Sequence, residues 1–180
     1  MPYNPNQPRK PAGQEKGGEW TRQDDVVEGI VRKYVGLKGN VASTEQAIQI
    51  IKMQSYGYSP KEIEQYLKEN GIDYVDGYHV SSIDSAKGIK ENGIKLSYQE
   101  GRRDASYFFL DRNDVADNAD NLGYSNGKYA IITIRIPRTE ASNIAEDNFY
   151  NGTFSSSYSA SRLFKKIPAD WIRKIEIREN

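Results

Sequence analysis

Residues 78–110, YHVSSIDSAKGIKENGIKLSYQEGRRDASYFFL, decide how this chain is read. The stretch opens on the chain's single histidine, His79, set between Tyr78 and Val80 in a short apolar run that suits a strand. Ser81 and Ser82 supply a small polar turn, the next residues suit a short helix, and Gly93 can end it because glycine adopts left-handed backbone at low cost. A second strand-like run follows at Tyr107, Phe108, Phe109 and Leu110. The order strand, turn, helix, loop, strand brings the end of one strand beside the start of another, where a cleft can form.

Downstream, Tyr129 to Ile136 (YAIITIRI) is the strongest strand in the chain, rich in β-branched residues and ended by Pro137. A closing strand is expected over residues 171–177, WIRKIEI. Between them, residues 138–161 are polar and rich in Ser and Asn, which suits a long loop lining or covering a site. Residues 111–129 suggest a short helix and a turn at Asn126-Gly127. The aspartates Asp111, Asp114, Asp117 and Asp120 lack the glycine and terminal glutamate of a calcium loop and suit a solvated acidic face, so no metal site is expected.

Upstream the period is helical. Asp24 to Gly36 places Val26, Val27, Ile30, Val31, Tyr34 and Val35 at helical spacing. Ser43 with Gln46 makes a capping box, and Ser59-Pro60 opens a third helix that stops at Asn70-Gly71. The pentapeptide KENGI occurs at residues 68–72 and 90–94, both at expected helix ends, as capping chemistry and not as a repeat. Helices in the first half and strands in the second give an α+β class. The expected organisation is a Pro/Gly-rich disordered tail over residues 1–22, a helical subdomain over 23–73, and a mainly antiparallel sheet domain over 74–180.

Composition narrows the function. Lys+Arg and Asp+Glu are equal at 25 each, so no global field favours a polyanion. Cysteine is absent and histidine occurs once, which removes disulfides, thiolate metal sites and His-rich zinc sites. No apolar run approaches a membrane span and the N-terminus lacks a signal-peptide core, so a soluble, cytoplasmic protein without a membrane partner is expected. Thirteen tyrosines against five phenylalanines point to half-buried or stacking aromatics.

Two resemblances add to this. NPNQPR, PAGQ and GGEWT within residues 4–21 resemble a tail pattern of proteins encoded by tailed phages and prophages, which implies a host-cell setting. The ordered set of His79 with Ser81, Gly93-Ile94, Tyr107-Phe108-Phe109, a β-branched strand and the IPADWI segment resembles the ADP-ribosyltransferase fold. The branch is the one with a His-Tyr-Glu signature, typified by diphtheria toxin and the PARP enzymes. The resemblance implies a split antiparallel sheet and NAD as substrate, with a host protein or nucleic acid as acceptor. It implies that His79 bonds a ribose hydroxyl, supported by Ser81 and Ser82, and that Tyr107 stacks on nicotinamide. Arg102 and Arg103 are candidates for the pyrophosphate.

The chain departs from the family at the glutamate. The region before the Ile-Pro step reads YSASRL, residues 158–163, without an acid. The candidates left are Glu146 and Glu140. A catalytically inactive module of the same fold that binds NAD, ADP-ribose or a partner, and an RNA-processing toxin using His79 with Arg102 or Arg103, stand as alternatives.

Overall fold

Two serines start the helical layer. Ser43 accepts the Gln46 N–H while the Gln46 side chain accepts from the Ser43 backbone, opening helix α1, Thr44–Ser55. Ser59 and Glu62 repeat the exchange ahead of α2, Pro60–Glu69, with Pro60 in the first turn where its missing N–H costs nothing. Past α2, Gly71 turns the chain at φ 66°, and the Ile72 N–H bonds the Leu67 carbonyl. The computed structural model describes residues 38–97, 104–117, 119, 122–124, 127–153 and 159–179. The expected tail and the helix expected from Asp24 lie outside them.

The sheet is built from β1 (Tyr74–Ser81), β2 (Ser106–Phe109), β3 (Lys128–Pro137), β4 (Ala145–Glu146), β5 (Ala160–Leu163) and β6 (Ile172–Glu179). Their order is β4-β5-β2-β1-β3-β6, and every pairing is antiparallel. β1 and β3 pair continuously from Tyr74↔Pro137 to Ser81↔Ala130. β1 and β2 meet only at Tyr78↔Phe109. The sheet is therefore two well-knit blocks, β1-β3-β6 and β4-β5-β2, joined at a narrow seam.

One face of the sheet carries Val75, Ile132, Ile134, Ile136 and Leu163, buried against Ile50 and Ile51 of α1 and Ile63 and Leu67 of α2. Each such side chain, taken fully out of water, contributes about 1.5–3 kcal/mol. The helices of residues 44–69 and the sheet thus share one core, within a compact unit that begins at Gly39. On the other face Phe109, Val115, Tyr129, Ile131 and Tyr150 form a second cluster, with Val115 supplied by the short helix α4, Arg112–Asp117. Phe109 and Tyr150 meet edge to face, their ring centroids 5.3 Å apart.

The segment expected as one long loop is more regular than its composition suggests. Within residues 138–161 lie α5 (Arg138–Ala141), β4, α6 (Asn148–Thr153) and the start of β5. These elements are too short for periodicity to show, and β5 (ASRL) lacks β-branched residues. It is a strand because β2 pairs with it on one side and β4 on the other. At the end of the chain Trp171 belongs to a 3-10 turn, Ala169–Trp171, and the last strand begins one residue later.

Candidate functional site

The seam between β1 and β2 is bridged by a side chain. Beyond the Tyr78↔Phe109 pair, the His79 ring Nδ1 lies 2.7 Å from the Tyr107 carbonyl oxygen. A carbonyl only accepts, so Nδ1 carries the proton, and in the neutral ring Nε2 is left as an acceptor. Burial pushes the His79 pKa below the ordinary histidine value, and the bond to Tyr107 opposes that only partly. The imidazole is therefore neutral near pH 7. Beside the gap in the ladder it presents a ring whose second nitrogen is an acceptor.

Helix α3, Ile83–Asn92, packs beside the seam. Ser82 caps it, its hydroxyl accepting the Ser85 N–H, while buried Ser81 donates to the Ser82 carbonyl. Ser81 and Ser82 thus set the course of the chain from β1 into α3. Gly93 ends the helix at φ 73°. A Cβ there would strike the Ile167 carbonyl and lie 2.9 Å from Ala169 N, and Ile94 exchanges backbone hydrogen bonds with Ile167 at 2.8 and 3.0 Å. The Gly93-Ile94 pair and the IPADWI segment, distant in sequence, are one contact in the fold.

Two cavities open here. One, of about 220 Å³, is lined by His79, Tyr107, Phe109, Tyr124, Tyr150 and Leu122, with Asp147 and Ser161 among its polar walls. The other, of about 440 Å³, runs along α3 past Ser85, Gly88, Ile89 and Asn92. His79, Ile94, Lys95 and Ser97 line both, so they are lobes of one cleft. Together they fall within the roughly 300–1,000 Å³ of small-molecule sites.

The structure brings His79 and Tyr107 together at the cleft. Ser81 and Ser82 stand behind it as turn and cap, and Arg102 and Arg103 lie outside the described residues. Glu140, on α5, pairs with Lys165 at 2.8 Å and lines neither lobe. Glu146, on β4, accepts from the Asn151 amide at 3.1 Å and also lines neither. The carboxylate on the aromatic lobe is that of Asp147, only 4% exposed, whose Oδ1 accepts the Tyr150 N–H at 3.3 Å. Asp147 caps α6, and it lies within residues 138–161, which composition alone marks as a loop. Lys95 reads in the sequence as one lysine among many.

Among the described residues no group of three or more His, Cys, Asp or Glu side chains is placed to hold a metal ion. No described helix is long and apolar enough to cross a membrane. Comparison of the chain with protein-family models, with curated proteins and with solved structures gives no match.

Proposed function

We propose that this chain is an NAD-dependent ADP-ribosyltransferase of phage or prophage origin that modifies a host protein or nucleic acid. One observation supports this above the others: neutral His79 and Tyr107, on the two strands that part at the seam, line one cleft with the buried residue Asp147. An antiparallel sheet that divides at that seam is in keeping with the split sheet the resemblance implies.

The chemistry suits these groups. NAD cleavage breaks the bond between the ribose C1′ and the pyridinium nitrogen, and the electron pair leaves with neutral nicotinamide. The ribose carries oxocarbenium character until a nucleophilic oxygen or nitrogen of the acceptor bonds C1′ and releases its proton. The aromatic lobe excludes water and stacks the nicotinamide on Tyr107, and His79 Nε2 accepts from a ribose hydroxyl. Asp147, as a carboxylate, stabilises the positive charge that develops on the sugar.

Purified protein, labelled NAD and bacterial lysate test this. Label transfer or nicotinamide release that falls sharply in His79→Ala and Tyr107→Ala supports the proposal, and no turnover under any condition refutes it.

A second reading, a non-enzymatic module binding NAD, ADP-ribose or a partner, draws on the position of Glu140 and Glu146 away from the cleft. Saturable NAD binding without turnover distinguishes it.

A further inference from the structure

Gly88 sits in the interior of α3, where glycine costs about 1 kcal/mol relative to alanine. The fold gives no reason for it. The backbone is helical, and a Cβ built there would meet nothing within 4 Å. What Gly88 does have is a place on the wall of the lobe along α3, where it leaves the helix backbone bare to the cavity. A side chain longer than alanine would project into that space.

Lys95 is the second unused feature. It is an exposed cation that, like His79, lines both lobes, and among the described residues it has no ion-pair partner. Among the described residues the only carboxylate on either lobe, that of Asp147, belongs to the aromatic one alone. A cation shared by an aromatic lobe and a second lobe along α3 matches a ligand of two ring-bearing halves joined through phosphate, where a charge-assisted contact is strongest.

We infer that Lys95 and Gly88 make the cleft selective for a phosphate-bridged dinucleotide over either half: Lys95 holds the bridging phosphates, and the bare backbone at Gly88 admits the second nucleoside. This rests on the proposed NAD site, and it assigns the specificity within that site to two residues that touch neither the glycosidic bond nor the acceptor.

Calorimetric titration of the full chain with NAD, nicotinamide mononucleotide and nicotinamide riboside tests it, using wild type, Gly88→Leu and Lys95→Met. Gly88→Leu should weaken NAD about tenfold or more and leave the mononucleotide unchanged. Lys95→Met should weaken both phosphate-bearing ligands and leave the riboside unchanged. Thermal denaturation should show Gly88→Leu no less stable than wild type, since leucine is the better helix former. NAD binding by wild type that both variants retain in full overturns the assignment while sparing the NAD site. Failure of wild type to bind NAD overturns both.

Discussion

Nδ1 of His79 and the carbonyl oxygen of Tyr107 are 2.7 Å apart, so the chain's single imidazole bonds across the gap where β1 and β2 stop pairing. That contact fixes the tautomer, orients Nε2 and satisfies a backbone acceptor that the parted strands would leave without a ladder partner. A side chain thus does structural work at the place where the site needs an opening.

The His79 pKa lies below the ordinary histidine value because folding strips water from its half-buried ring. Well above a pH of about 6.5 the ring is neutral folded and unfolded, and it contributes no pH dependence. As pH falls below that, the unfolded chain takes up a proton that the folded chain refuses, so stability falls until the folded value is reached. Denaturant midpoints measured from about pH 7 to pH 5 should drop more steeply for wild type than for His79→Gln. Because the chain has one histidine, a single imidazole proton resonance should report the lowered pKa directly.

Gly93→Ala should destabilise the fold by roughly 2–5 kcal/mol, combining left-handed backbone strain with a clash against the Ile167 carbonyl. Chemical denaturation measures this. Gly71→Ala is the control: the same KENGI context and a positive φ, but nothing nearer than Asn40 at 3.9 Å, so the loss should be limited to about 1–2 kcal/mol.

Gly88→Ala should raise stability by about 0.5–1 kcal/mol, because the site is helical and open and alanine is the better helix former. An unchanged or lower melting temperature would show that the helix needs glycine there for a reason other than space.

The three carboxylates separate by kinetics. Asp147→Asn should lower nicotinamide release by about a hundredfold or more, mainly in kcat, as loss of a charge that acts on the transition state. Glu140→Gln should leave turnover intact and cost no more than about 1 kcal/mol, since its bridge to Lys165 is partly exposed. Glu146→Gln should also leave turnover intact, because its carboxylate faces Asn151. Loss of turnover in Glu146→Gln with activity retained in Asp147→Asn would reverse the assignment.

Much of the framework is local and could be read from residues alone. The capping boxes at Ser43 and Ser59, the glycine stops at Gly71 and Gly93, and the β-branched run of β3 depend on neighbours within four positions, so their chemistry is written in order along the chain. The same is true of the succession from His79 through α3 to Tyr107. Tertiary structure alone decided the rest. β5 is a strand because two partners bond it, the Gly93-Ile94 pair meets Ile167 across more than seventy residues, and His79 takes the Tyr107 carbonyl across the seam. Which acid faces the cleft belongs to the same class. Glu146 and Asp147 are adjacent in sequence, but the pairing of β4 with β5 sets Glu146 against Asn151 and leaves Asp147 at the wall of the aromatic lobe, a choice made by the sheet and not by the residues themselves.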